Sequence, residues 1–350
     1  MQKTSRVFSM LVLVILFAAL AISAMAKGEA KVTLSVNQTA FEASESVIVE
    51  VVISNPSRGA IKLLKWYTPF DDVEESLFKV TRDGIPVQYV GAHYKRPQPE
   101  EKDFIILKSG ESIRQTVDLA DYYDLSASGF YLVSYDVRSL NLYQKGNGLT
   151  NGVENLKSDE IRLWIEGRAP KRPTDPNPPP GGLNSFSACT TSQQSTIITA
   201  RTNAANYSSD SLNYLIGGAT GPRYTTWFGV YSASRYNTVK DNFTNIKGAM
   251  DSASMTFDCG CKKRYYAYVY ANQPYNIYLC SIFWQAPMTG TDSKAGTLVH
   301  ETSHFTVVAG TEDWAYGQTN AKNLAISDPN KAVDNADSHE YFAENTPFQQ

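Results

Sequence analysis

Residues 300–304 read His300-Glu301-Thr302-Ser303-His304. On an α-helix, histidines at i and i+4 leave the same face one turn apart, so both imidazoles can ligate a single Zn2+. Glu301 then lies about 100° round the helix, where it can reach a metal-bound water as general base. The flanking residues suit a helix. Asp292 or Ser293 can cap its start, Ala295, Leu298, Val299 and Phe305 give it an apolar side, and Gly310 can end it. Only four histidines occur in the chain and two stand in this motif, which weighs against a helix with two incidental surface histidines.

A catalytic zinc needs a third protein ligand and an open position. The metzincin spacing would require Gly at 307 and His at 310, but the chain has Val307 and Gly310, so that class is excluded. Downstream, Glu312, Asp313, Asp328, Asp334, Asp337, Glu340, Glu344 and His339 all remain open as the third ligand on residue type alone.

The elements that must position these residues follow from composition. A chain of 350 residues suggests two domains. Its formal net charge of −3 offers no basic surface for nucleic acid. Lys3 and Arg6 precede an apolar run from Phe8 to Ile22, and Ala24-Met25-Ala26 follows as a cleavage site. Residues 1–26 therefore read as a secretion signal; the run is short for a membrane span. The mature protein is expected to be secreted, extracellular, monomeric and free of membrane.

Residues 27–168 read as all-β. Val32–Val36 alternates, Val47–Ile53 is a β-branched run, and Phe104–Leu107 and Phe130–Tyr135 are strand-like, with turn signals at Asn55-Pro56, Asp83-Gly84 and Ser109-Gly110. An immunoglobulin-like sandwich is the expected fold. The one histidine here, His93, suggests no chemistry. Residues 169–183 are rich in Pro and Gly and cannot build a core; with Arg168, Lys171 and Arg172 nearby, this linker is a candidate processing site. Residues 184–350 read as α+β and mainly helical, with helices at Ser192–Leu215 and Arg235–Met250 and strands at Tyr265–Tyr270 and Tyr275–Phe283. The four cysteines, Cys189, Cys259, Cys261 and Cys280, imply two disulfides in an exported chain. A bridge between Cys259 and Cys261 would be strained, so each should reach outwards to Cys189 or Cys280, which leaves two connectivities.

Gly310-Thr311-Glu312-Asp313-Trp314-Ala315-Tyr316-Gly317 resembles the G-T-x-D-x-x-Y-G signature of the aspzincins, the deuterolysin and peptidyl-Lys metalloendopeptidase family. The resemblance spans residues 185–350 and includes Arg223–Gly229, Gly290-Thr291-Asp292-Ser293 and Asn335–Phe342. The whole chain looks most like secreted bacterial members with a β-rich propeptide. The resemblance implies a zincin-type catalytic domain holding one Zn2+, with Asp313 as third ligand beside His300 and His304, and Tyr316 as a catalytic tyrosine. It implies the disulfides Cys189–Cys259 and Cys261–Cys280. It also implies that Asp337 and Glu340 form an S1′ pocket for lysine, so that cleavage falls before Lys; a helix capping box is the structural alternative for that pair.

The chemistry these roles describe is peptide hydrolysis. Bound zinc would lower the pKa of its water to about 7, Glu301 would relay the proton to the leaving amine, and Tyr316 would donate to the oxyanion. An acidic pocket would make the Pro170–Lys171 bond a self-processing candidate. The propeptide is expected to act as an intramolecular inhibitor that covers the cleft, with Trp66-Tyr67-Thr68-Pro69-Phe70 as the candidate blocking loop. Two other classes compete: a surface-binding β-domain protein with a structural zinc, and a zinc exopeptidase.

Overall fold

The computed structural model describes residues 29–70, 72–140, 142–145, 148–149, 154–170 and 184–350. The expected leader, residues 1–26, and the linker from 171 to 183 lie outside these, as does the lysine of the Pro170–Lys171 bond.

Residues up to 170 build three sheets among the described residues. Lys31–Ser35, Ile48–Ser54 and Ser112–Asp118 form one. Gly129–Ser139 is flanked by Phe78–Arg82 and Ile161–Ile165 in the second, and Ile61–Leu64 pairs with Phe104–Leu107 in the third. Side chains alternate across a pleated strand, so Val49, Val51 and Ile53 point inward from one sheet and Tyr131, Val133, Tyr135 and Val137 from another, forming one apolar core.

From residue 184 the chain is mostly helical: α1 (Thr191–Ile216), α2 (Pro222–Phe228), α3 (Ala233–Ser252), α4 (Ser281–Gln285), α5 (Lys294–His304), α6 (Gln318–Ser327), α7 (Pro329–Ala332) and α8 (Ala336–Glu344). A second core lies among them, from Ile197 and Trp227 to Leu298 and Phe342. Every residue of α5 is buried, because α1, α3 and α8 pack round it. The disulfides join Cys189 to Cys259 and Cys261 to Cys280.

Two expected boundaries move. Helix α5 ends at His304 rather than near Gly310, which sits in a later turn at φ +61°. The β-branched Thr306-Val307-Val308 run disfavours another helical turn. The strand expected over Tyr275–Phe283 stops at Leu279, where Cys280 leads into α4.

Strands Asn184–Ser187, Met255–Asp258, Asn276–Leu279 and Ala267–Tyr270 form a sheet in that order. Its last member is the N-terminal segment Ala92–Lys95, antiparallel to Ala267–Tyr270 with Val269 opposite His93 and Ala267 opposite Lys95. An exposed sheet edge offers unpaired N–H and C=O groups to an extended segment. Here a segment from the β-rich half takes that edge.

Candidate metal centre and cleft

Helix α5 starts where Ser293 Oγ accepts from the Gly296 amide at 2.9 Å; of the two expected caps, Ser293 performs the role. Gly296 lets α8 approach. A Cβ there would run into the Glu344 carboxylate and lie 3.0 Å from Glu340 Cγ. Gly296→Ala is therefore expected to destabilise the fold by about 1–3 kcal/mol, read as a lowered thermal unfolding midpoint; an unchanged midpoint would contradict this packing.

The two motif histidines converge as their spacing requires. His300 Nε2 and His304 Nε2 lie 3.2 Å apart, and Asp313 adds Oδ1 at 3.3 Å from the first and Oδ2 at 3.4 Å from the second. The opposite ring nitrogens are anchored. His304 Nδ1 donates to the Thr311 carbonyl at 2.7 Å, and His300 Nδ1 faces Asp337 Oδ1 at 2.9 Å. Such anchoring places the proton of a neutral imidazole on Nδ1 and leaves Nε2 as a lone pair. Four acceptor atoms thus meet in a buried space, and neither Asp313 oxygen has a hydrogen-bond partner among the described residues. Burial opposes positive charge on either ring, yet Asp313 raises the pKa of both, so the site draws a cation. Two tetrahedral ligands about 2.0–2.1 Å from zinc stand about 3.3 Å apart. The donor set and spacing fit that ion.

Asp313 reaches this point because its loop is tied at both ends. Thr311 N donates to the Ser303 carbonyl at 3.1 Å, and Asn335 Oδ1 accepts from the amides of Trp314 and Ala315 at 2.9 and 3.0 Å. Asn335 precedes α8 without capping it, and Asp337 Oδ2 accepts from Gly317 N at 2.6 Å. The capping-box alternative for Asp337 and Glu340 is therefore not what the structure contains. Glu301 is fully buried with neither oxygen hydrogen-bonded among the described residues, and burial pushes its carboxyl up to about 7. A carboxyl tuned to neutrality suits proton transfer.

The other downstream candidates serve elsewhere. Asp328 caps α7, Asp334 accepts from Trp314 Nε1 at 2.9 Å, and His339 sits between Asn242 and the Asn335 carbonyl.

Asp337 and Glu340 form a buried acidic pocket, and it holds a lysine from the N-terminal half. Lys95 Nζ lies 2.6 Å from Glu340 Oε2 and 3.6 Å from both Asp337 Oδ1 and Asp292 Oδ1, with the Tyr266 ring 4.8 Å away. Burial disfavours its charge, but Asp337, Glu340 and Asp292 outweigh this and raise its pKa. Nothing local in the sequence marked Lys95 or Asp292 for this pocket; an alternating His-Tyr-Lys run that could pair with a sheet edge was the available signal.

The segment entering the cleft is thus Ala92–Arg96 rather than Trp66–Phe70. Trp66 and Tyr67 pack in the β-region core and flank the site: Trp66 lies edge-on to the Tyr316 ring at 5.6 Å with Arg96 5.0 Å over it, and Tyr67 lines a cavity shared with Asp313. Tyr316 donates its hydroxyl proton to Glu75 Oε1 at 2.5 Å and accepts from Arg96 Nη1 at 2.8 Å. Arg96 also pairs directly with Glu75. At the rim, Lys263 and Tyr265 bind Glu74 and Arg264 binds both oxygens of Glu100.

The sequence profile of the aspzincins, described as lysine-specific metallo-endopeptidase, matches residues 217–344. An extracellular protease of Aeromonas hydrophila is 43% identical over 312 residues, covering 87% of this chain and 89% of that one. A peptidyl-Lys metalloendopeptidase of Grifola frondosa is 38% identical over 309 residues, with 84% of each chain covered. Among solved structures, a zinc peptidase from Grifola frondosa matches at 53% identity over 46% of this chain and all of its own, with a TM-score of 0.45.

Proposed function

The chain belongs to the aspzincin family of zinc metalloendopeptidases, and on that premise we propose a secreted endopeptidase, made as an inhibited precursor, that cuts peptide chains before lysine. The observation that carries this reading is the Lys95 ammonium among Asp337, Glu340 and Asp292, in a cleft beside His300, His304 and Asp313. A pocket that neutralises a buried ammonium with carboxylates selects lysine, because an apolar side chain would leave those charges unpaired. The relative named peptidyl-Lys metalloendopeptidase agrees with it. Secretion is supported by the apolar leader with its Ala24-Met25-Ala26 site, by the two disulfides and by the relative named extracellular protease. No helix of the described residues is long and apolar enough to cross a membrane.

In this reading His300, His304 and Asp313 would hold one zinc ion, which would supply Lewis acidity and water activation near neutral pH. Glu301 takes the proton of the attacking water and returns it to the leaving amine. Tyr316 donates its O–H to the oxyanion that develops on the scissile carbonyl. Tyr316→Phe in the processed enzyme is expected to lower kcat by about 10²- to 10³-fold with little change in KM, measured by steady-state hydrolysis of a lysine peptide; an unchanged kcat removes it from the mechanism.

The β-region, read as an immunoglobulin-like propeptide over residues 27–168, supplies the inhibition. Lys95 fills the substrate pocket, the Ala92–Lys95 strand takes the sheet edge that an extended substrate would use, and Glu75 engages the one proton Tyr316 can donate. Cutting the linker at residues 169–183 would release it.

Glu340 is the cleaner test of specificity, since Asp337 is the nearer partner of His300 Nδ1, at 2.9 Å against 3.4 Å for Glu340. Glu340→Gln is expected to lower kcat/KM for lysine bonds on the order of 10- to 100-fold, the worth of a hydrogen bond to a charged group; a retained lysine preference would assign the selectivity elsewhere. The whole reading is tested by mass spectrometry of a denatured protein digested with the processed enzyme. New N-termini should begin with lysine and vanish with a chelator. Cuts indifferent to lysine would sink the pocket, and cuts that survive metal removal would sink the zinc chemistry.

A further inference from the structure

We propose that His93 is a metal ligand of the uncut chain, its imidazole taking the coordination position left open by His300, His304 and Asp313. The inference rests on the zinc reading of those three residues. Within the strand Ala92–Lys95, alternate side chains share a face, so His93 and Lys95 project together into the cleft while Tyr94 turns away onto Tyr265 and Tyr268. Lys95 is held in the acidic pocket and Val269 pairs with His93 across the ladder, so the imidazole has little freedom to leave.

Its position is beside the metal site. The His93 ring stacks on the His304 ring, with centroids 4.7 Å apart and planes inclined by 26°. Ligand atoms of His93, His304 and Asp313 all lie within 4.8 Å of one another, and all three residues are buried. Its Nδ1 is 3.8 Å from Glu312 Oε2, too far for a hydrogen bond. Tyr89 packs edge-on against the ring at 5.5 Å.

This role resolves a difficulty in the precursor. A lysine seated in the substrate pocket presents the Tyr94–Lys95 bond to the catalytic groups and invites cleavage. An imidazole at the open position removes the place that both the attacking water and a substrate carbonyl need. Ligation exchanges one bound water for one neutral imidazole and requires no other reactant. The histidine and lysine then act together, one closing the metal and the other closing the pocket.

The test uses the full chain carrying Glu301→Gln, which blocks self-cleavage, loaded with Co2+. X-ray absorption should count three imidazoles, and the His93→Phe version, which keeps a ring for the His304 and Tyr89 contacts, should count two. Metal release to a chelator should be at least tenfold faster in His93→Phe. If that variant does not fold, His93→Gln with the same readouts replaces it. Two imidazoles in the parent chain, or equal release rates, would overturn the role of His93. A parent chain that binds no stoichiometric metal would overturn the zinc reading itself, a separate and recognisable failure.

Discussion

The uncut chain carrying Lys95→Ala is expected to hydrolyse an internally quenched lysine peptide on the order of 10²- to 10³-fold faster than the uncut parent. Lys95 is fully buried, with the carboxylates of Asp337 and Glu340 equally buried around it. Removing one partner of a buried charge pair costs about 3–5 kcal/mol, because the remaining charges are left without compensation. That cost falls only on the closed arrangement, since solvent reaches the pocket once the strand Ala92–Lys95 leaves. With tenfold per 1.4 kcal/mol, the open fraction rises by two or more orders of magnitude. The Arg264–Glu100 pair across the same interface gives the contrast. It lies at the exposed rim, where water and salt screen it, and Arg264→Ala should change precursor activity little. Activity is read while gel electrophoresis verifies that the linker is intact. A Lys95→Ala precursor as silent as the parent would show that the pocket lysine does not hold the cleft shut.

Replacing Glu301 by glutamine should lower kcat of the processed enzyme by about 10²- to 10⁴-fold, the span expected for a lost general acid–base group, while zinc content stays stoichiometric. Glutamine keeps the shape of the side chain and cannot accept the proton. Glu301 lies outside the set formed by His300, His304 and Asp313, whose oxygens and Nε2 atoms face one another. The companion Asp313→Ala should instead lose the metal, because it removes two of the four acceptor atoms. Metal analysis after gel filtration separates the two outcomes. A Glu301→Gln enzyme of near-parent kcat would require a different base, and a metal-replete Asp313→Ala chain would require a different third ligand.

Most of the catalytic half was legible in the sequence because its information is local. An i, i+4 histidine pair on a helix states its own geometry. The Gly310–Gly317 signature carried Asp313 and Tyr316 by resemblance. Strands at Ile48–Ser54 and Phe104–Leu107 followed from β-branched and apolar runs. The end of α5 and the end of the Asn276–Leu279 strand were misplaced, because boundaries depend on what the next residues must reach. Here Thr311 must bring its carbonyl to His304, and Cys280 must meet Cys261.

The family resemblance implied that Asp337 and Glu340 act together, but not that Lys95 would lie between them. Lys95 is one lysine among many in a β-rich stretch, and its carboxylate partners Asp292, Asp337 and Glu340 lie 197, 242 and 245 positions later in the chain. The same holds for Glu75 and Arg96, which clasp Tyr316, and for His93, which had no chemical neighbour along the sequence and stacks on His304 in space.

Legible from the residues alone, then, were a metal-binding helix and an acidic pair from their spacing, two disulfides from the cysteine count, and a β-rich half before a proline-rich break, while the disulfide pairing and the third ligand came with the family resemblance. Which segment enters the cleft, and which charges meet there, emerged only from the folded molecule. A strand's alternation says which side chains share a face but not which sheet edge that face will find. That choice comes from the Ala92–Lys95 ladder and the buried ion pairs between the two halves, contacts that no local pattern encodes.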